Sequence, residues 1–235
     1  MNVVVIVPAA GSGVRMQNAS KKPYIELQGQ TILGHTLCAL EQAGSITSIV
    51  IVVSPGDEDL CRHQVVSHLD LRPEISIIAG GERRQDSVAN ALAVLPPACD
   101  VVLIHDGARP FVTSKILEET AAAAYSCGAA TAAVPLKDTI MQRDDTEPNA
   151  PKPLERDKFY AIQTPQAFKP DIIMAAHAHA TGKAMQATDD ASLVRYMGLP
   201  VAITHGSYEN IKITTAGDLL YADMLLAKRE ADNSH

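Results

Sequence analysis

Three stretches of this sequence set small residues beside fixed charge, an arrangement suited to phosphate chemistry. The first is Pro8-Ala9-Ala10-Gly11-Ser12-Gly13-Val14-Arg15-Met16, with Lys22 seven residues beyond Arg15. Small side chains let a ligand approach the backbone closely, and successive N–H groups can form an anion-binding nest. Two cations beside such a loop suit a triphosphate, whose charge builds up as the α-phosphate is attacked. The second stretch is Gly80-Gly81-Glu82-Arg83-Arg84-Gln85-Asp86-Ser87. Its paired glycines permit close contact and its polar side chains could read a base edge; Asp86 or Ser87 could equally cap the next helix. The third is His105-Asp106-Gly107-Ala108-Arg109-Pro110. An aspartate there can hold Mg2+ together with phosphate oxygens, since that ion needs only one or two carboxylates plus substrate. Arg109 offers a planar fork for a second phosphate. The plainer alternative is a capping aspartate paired with a surface arginine.

Other chemistries lack their signatures. The glycine-rich loop is not the dinucleotide fingerprint, because Met16 stands where the third glycine is required, and no Gly-Lys-Ser/Thr makes it a Walker A loop. Neither HExxH, Gly-x-Ser-x-Gly nor a nucleophilic Cys/His arrangement occurs. Thr139, Arg156, Thr164, Thr188 and Lys212 are isolated polar or cationic residues near the ends of expected elements. His177 and His179, two apart on a helix, point to different faces and read as surface residues, not metal ligands.

The elements that must carry these residues alternate. Short β-branched runs at 3–7, 49–53, 75–79, 101–105 and 129–134 read as buried strands. Residues 31–43, 57–69, 86–95 and 114–125 read as helices, the first with Ile32, Leu33, Thr36, Leu37 and Leu40 on one stripe. Such alternation predicts an α/β fold, Rossmann-like, with a mostly parallel sheet and helices on both faces. Ligands collect beyond the carboxyl ends of such strands, where all three stretches fall. Residues 137–160 break the pattern with Pro148, Pro151, Pro153 and many charges, and read as a loop or a functional extension. Farther on, 201–204 and 211–214 read as short strands, and Thr215 as the N-cap of a helix reaching about 230. No repeat or second domain is evident, so 1–235 reads as one domain.

Composition limits the partners. A formal charge of −7 argues against nucleic acid, whose binders present a basic face. Hydrophobic residues at 46% against 20% charged suit a globular protein. The four cysteines include no CxxC pair and read as reduced thiols. The apolar start at residues 1–7 has no basic n-region and is too short to cross a bilayer. The expected compartment is the cytoplasm, with no membrane partner.

In order along the chain, the first stretch, Lys22, the Gly80–Ser87 and His105–Pro110 stretches, Lys137-Asp138-Thr139, Thr164-Pro165-Gln166, Thr188-Asp189-Asp190-Ala191-Ser192 and Asn210-Ile211-Lys212-Ile213-Thr214 together resemble one family. It is the 2-C-methyl-D-erythritol 4-phosphate cytidylyltransferase family of the non-mevalonate isoprenoid pathway, and the resemblance runs from about residue 3 to 218. It implies a nucleotidyltransferase-type fold and transfer of CMP from CTP to 2-C-methyl-D-erythritol 4-phosphate, with Mg2+. By matching position, Arg15, Lys22 and Lys212 would be the catalytic cations. Pro8, Ala9, Ala10, Gly11, Ser12, Gly13, Gly81, Glu82 and Ser87 would bind CTP. Asp106 would serve the metal and the substrate, and Arg109, Thr139, Arg156, Thr164 and Thr188 the substrate. The family usually has Pro-Lys-Gln where this chain has Lys21-Lys22-Pro23; register from Arg15 favours Lys22. Gly107 and Glu82 stand where alanine and aspartate are commoner. Residues 137–160 resemble an arm that reaches across a homodimer and places Thr139 and Arg156 in the neighbour's site. The rivals are a sister enzyme acting on ribitol 5-phosphate and a non-catalytic nucleotide-binding module. The loop from Gly11 to Lys22 is expected to be mobile without its nucleotide.

Overall fold

In the computed structural model, which describes residues 1–11, 21–143, 146 and 150–233, the chain opens with strand β1 (Val3–Pro8). A two-rung hairpin, β2 (Glu26–Leu27) and β3 (Gln30–Thr31), leads into helix α1 (Ile32–Glu41). The Thr31 hydroxyl caps α1 by accepting the Gly34 N–H, and the predicted stripe Ile32, Leu33, Thr36, Leu37 and Leu40 is buried. Then follow β4 (Ile46–Val53), α2 (Glu58–Gln64), β5 (Glu74–Ala79), α3 (Arg84–Leu92), β6 (Val101–Ile104), α4 (Ser114–Cys127) and β7 (Ala129–Pro135). The expected alternation of strand and helix is therefore present, with α2 ending at Gln64 and a 3-10 turn, Val66–His68, in place of its expected last turn.

Beyond β7 the chain makes a second small hairpin, β8 (Met141–Gln142) with β9 (Lys152–Pro153), so the stretch read as an irregular loop carries a minimal ladder. It returns as β10 (Tyr160–Phe168), followed by α5 (Pro170–Gly182), α6 (Asp190–Tyr196), β11 (Ala202–His205) and α7 (Ala216–Asn233). The strand expected at 211–214 does not form. There the Ile213 N–H donates to Ala108 O, and the Thr214 and Thr215 N–H groups donate to the Asp218 carboxylate. These backbone donors fasten a loop and cap a helix instead of extending a ladder. Thr215 does cap α7, its hydroxyl accepting the Asp218 N–H at 3.2 Å.

Seven strands form one sheet in the order β11-β7-β10-β6-β1-β4-β5. All neighbours are parallel except β10, which runs antiparallel to both β6 and β7. Alternation along β1 shows how the layers are fed: Val3, Val5 and Val7 enter the core under α1, α2 and α4, while Val4 and Ile6 enter the one under α3, α5 and α6. Such two-faced burial explains why the strands read as unbroken apolar runs. A third cluster joins Phe111, Ile213 and the inner face of α7 to the β2–β3 hairpin.

Candidate active site

The carboxyl ends of β1, β5 and β6 meet at one cleft of about 590 Å3. From the end of β1 and the residues after it come Pro8, Ala9, Ala10 and Gly11; the loop after β5 supplies Gly81, Glu82 and Arg83, and the start of α3 supplies Arg84 and Ser87. The loop after β6 supplies Asp106, Gly107 and Ala108, and Lys22, Lys212 and Thr214 complete the wall.

The β5–α3 loop is folded by its own residues. Gly80 N–H donates to Val53 O at 2.7 Å and Gly81 N–H to Ser87 Oγ at 3.1 Å. A Cβ on Gly81 would lie 2.5 Å from Cβ of Asp86, so only glycine fits. The Asp86 carboxylate returns to the Arg83 N–H and guanidinium, forming a capping box at the start of α3. Capping and cleft-lining are thus performed by the same turn.

Asp106 forms the floor. It is 7% exposed, and three cations converge on it: Lys212 Nζ at 2.9 Å, Arg84 Nε at 3.5 Å and Arg109 Nε at 3.6 Å. Burial pushes its carboxyl up, but Arg84, Lys212 and Arg109 outweigh that and hold it well below the usual carboxylate range. It is therefore ionised at neutral pH.

The loop carrying Asp106 is locked from below. Asp106 N–H donates to Thr164 Oγ1 at 3.0 Å, and that hydroxyl lies 3.3 Å from His105 Nδ1. His105 Nε2 faces the Arg109 carbonyl at 3.1 Å, which can only accept, so the ring proton sits on Nε2. Burial depresses His105 to about 4, leaving the neutral Nδ1 to accept from Thr164. Arg109 in turn donates to Asn210 O at 2.8 Å, and Asn210 donates to Thr164 O at 2.9 Å. These bonds tie β6, β10 and the Lys212 loop into one unit.

The two neighbouring lysines part company. Lys21 Nζ bridges both oxygens of the Asp57 carboxylate at 2.7 Å, whereas Lys22 lies on the cleft wall.

A model of the family described as "IspD: 2-C-methyl-D-erythritol 4-phosphate cytidylyltransferase" matches residues 3–228. The chain belongs to this cytidylyltransferase family. A 2-C-methyl-D-erythritol 4-phosphate cytidylyltransferase of Pelotomaculum thermopropionicum is 45% identical over 230 residues, covering 97% of this chain and 95% of its own. Another, from Desulforamulus reducens, is 44% identical over 228 residues, covering 97% of each. Among solved structures, 4-diphosphocytidyl-2C-methyl-D-erythritol synthase from Anaerococcus prevotii superposes with a TM-score of 0.84 at 32% identity and 96% coverage of both chains. The fold is accordingly that of a cytidylyltransferase, an α/β sheet with helices on both faces.

Of the residues matched to the cytidylyltransferase pattern, Pro8, Ala9, Ala10, Gly11, Lys22, Gly81, Glu82, Ser87, Asp106 and Lys212 line the one cleft. Arg109 and Thr164 lie beneath Asp106 rather than on the wall. Thr139, Arg156 and Thr188 are exposed and do not line it; the Arg156 guanidinium donates to Lys137 O at 2.7 Å within the same chain. Ser12, Gly13 and Arg15 lie outside the described residues, as does most of the 11–22 loop.

Two residues were read differently from the sequence. The sequence gives Arg84 no role beyond the general polarity of its stretch, yet the side chain lines the cleft and lies 3.5 Å from Asp106. Its position in the first turn after the paired glycines was the available signal. His177, read as a surface residue, is buried, with Nε2 3.1 Å from Asp190 Oδ1. Helical spacing alone placed it on a different face from His179 but could not say that its own face is the covered one.

Proposed function

We propose that this protein transfers CMP from CTP to the phosphate of 2-C-methyl-D-erythritol 4-phosphate, releasing pyrophosphate. The observation that carries the reading is the cleft itself. Lys22 and Lys212 stand beside glycine-rich backbone and an ionised Asp106 in a chain of the cytidylyltransferase family.

The attacking group is a phosphate oxygen, already anionic at neutral pH, so no side chain needs to remove a proton. It forms a bond to the α-phosphorus of CTP as the bond to the bridging α–β oxygen breaks. The obstacle is bringing one anion against another, and catalysis is positioning plus stabilisation of the spreading charge. Lys22 and Lys212 supply that charge, joined by Arg15. The small-residue backbone from Ala9 to Gly11, with Gly81, Glu82 and Ser87, frames the nucleotide. Asp106 holds the Lys212 ammonium at 2.9 Å, which fixes one cation before substrate arrives.

Mg2+ fits this donor set. Among the described residues no group of three His, Cys, Asp or Glu forms a closed metal cage. The ion prefers one or two carboxylates with substrate oxygens completing its shell, and Asp106 is the ionised carboxylate on the cleft floor. When bound, Mg2+ supplies charge neutralisation to the triphosphate.

The exposed arm supports a homodimer. Met141, Phe159 and Tyr160 present apolar surface there, and Thr139 and Arg156 of one chain would enter the other's cleft. The expected compartment is the cytoplasm; none of the described helices is long and apolar enough to cross a membrane.

Pyrophosphate release from CTP and Mg2+ tests the reaction, with methylerythritol phosphate and ribitol 5-phosphate offered separately. Release with the first alone supports the reading; release with ribitol phosphate alone moves the protein to the sister activity, and silence with both leaves a binding module. Mixing inactive Lys22→Ala with Arg156→Ala tests the arm. Recovered activity in the mixture means that each chain lends its arm to the other, and no recovery refutes that exchange.

A further inference from the structure

Behind the cleft wall lies a series of linked polar side chains, and the reaction above assigns no role to its first three members. His177 of α5, Asp190 of α6 and Arg84 of α3 are linked in series, and Arg84 ends on Asp106. Arg84 Nη1 lies 2.7 Å from Asp190 Oδ2, whereas its Nε lies 3.5 Å from Asp106 Oδ1. The tighter anchor is the one outside the cleft.

From this geometry we propose that Asp190 is a positioning residue for nucleotide binding, acting through Arg84; the inference rests on CTP being the ligand of the cleft.

Asp190 is 1% exposed and does not line the cleft, so it cannot itself touch the nucleotide. A buried carboxylate persists only with partners, and Asp190 has a full set. His177 meets one oxygen and Arg84 the other, while its own N–H donates to Gln166 Oε1 at 3.1 Å. The neighbouring Ala191 N–H reaches the same oxygen at 2.9 Å, and Gln166 Nε2 donates to Asp189 at 2.9 Å. Gln166 belongs to β10 and is paired with Ile104 at the end of β6. Asp190 is thereby set in register with the strand that delivers Asp106.

The consequence for Arg84 is directional. Its guanidinium has five N–H donors in a rigid plane. With Nη1 on Asp190 and Nε toward Asp106, that plane is fixed at two points, and the side chain still lines the cleft. Its neighbours on the wall are Gly81, Glu82 and Ser87, the residues framing the nucleotide, so Arg84 addresses CTP. Asp190 has a second effect. Asp106 already serves Lys212 and Arg109, and an unanchored Arg84 would swing fully onto it and compete with them. Holding Arg84 back keeps Lys212 in place.

Calorimetric CTP affinity and pyrophosphate release, measured on Asp190→Asn alone and in an Arg84→Ala background, test the proposal. Asp190→Asn is expected to weaken CTP binding about tenfold or more, the loss of one charge-assisted hydrogen bond, and to have less than about a twofold effect once Arg84 is absent. Asp190→Glu should recover part of the affinity. An equal loss in both backgrounds, or none in either, overturns the proposal. If Asp190→Asn does not fold, Arg84→Lys decides: it keeps the charge but loses the two-point fork and should weaken CTP to a similar extent, and unchanged affinity sinks the idea. CTP binding that follows the pattern without transfer to methylerythritol phosphate would break the proposed reaction while leaving this inference standing. Failure of the unaltered protein to bind CTP would end both.

Discussion

The cleft floor and the arm at 137–160 are built from the same kinds of residue, yet those residues carry different weight. On the floor, Asp106 is buried among Lys212, Arg84 and Arg109, and its own N–H is held by the Thr164 hydroxyl. On the arm, Lys158 meets Glu155 at 2.8 Å and Arg156 meets Asp157 at 3.4 Å, but these side chains are largely open to water. An exposed pair is screened and entropically costly to hold, whereas a buried pair loses far more when one partner is removed. Distance between charges therefore says little until the surrounding dielectric is known.

The sharpest contrast should come from activity. Lys22→Ala or Lys212→Ala should each lower kcat by about 10²–10³, as removal of one oxyanion donor does, with circular dichroism unchanged. Retained turnover in either variant would remove that lysine from the reaction.

Next comes stability. Asp106→Asn leaves three cations without their shared anion and should cost about 3 kcal/mol in urea unfolding, against less than about 0.5 kcal/mol for Glu155→Gln on the arm. Equal costs would erase the distinction between the two regions. Because the folded carboxyl lies below its unfolded value, its contribution is complete above about pH 4 and fades as pH falls further.

His105 gives a pH test of the floor alone. Its folded value of about 4 lies below the ordinary 6.5, so the unfolded chain binds the extra proton between those limits and stability falls on acidification. Between pH 7 and 5 the loss should be about 2 kcal/mol, and His105→Asn should lack that component. A variant as acid-sensitive as the original protein would show that the ring is not held neutral.

The smallest effect separates adjacent lysines. Lys21→Ala removes the pair with Asp57 and should cost about 0.5–1 kcal/mol of stability and only a few-fold in kcat. A loss as large as that of Lys22→Ala would mean that Lys21 shares the chemistry.

Part of this contrast is legible in the sequence itself. The parallel half of the sheet was readable because strands buried on both faces are continuous apolar runs, and all three phosphate-suited stretches follow such strands. What escaped includes α6, the two small hairpins and, most instructively, β10. Gln163, Thr164, Pro165 and Gln166 interrupt its pattern, and proline inside a run argues against a strand. The pairing with β7 in fact skips between Ile162 and Gln166, so Pro165, with no N–H to give, is accommodated at the irregularity. The polar residues that hid the strand are the same ones that hold Asp106 and α6. Conversely, 211–214 looked like a strand because Ile211 and Ile213 alternate with polar residues. Nothing in that alternation reveals that Asp218 will claim the next two N–H groups. The role of Arg84 depends on Asp190, more than a hundred residues away, a proximity that no local pattern encodes.

The reversed direction of β10 also matters for inheritance. Pro135, at the end of β7, and Tyr160, at the start of β10, are register partners on adjacent strands. The whole arm is thus a closed excursion whose two feet stand side by side at the rim of the sheet. The cost of closing such an excursion rises only slowly with its length. Arms can be lengthened, shortened or exchanged between lineages as cassettes while the strands beneath keep their pairing. In the proposed homodimer, the surface by which two copies recognise each other can therefore change without disturbing the floor beneath it.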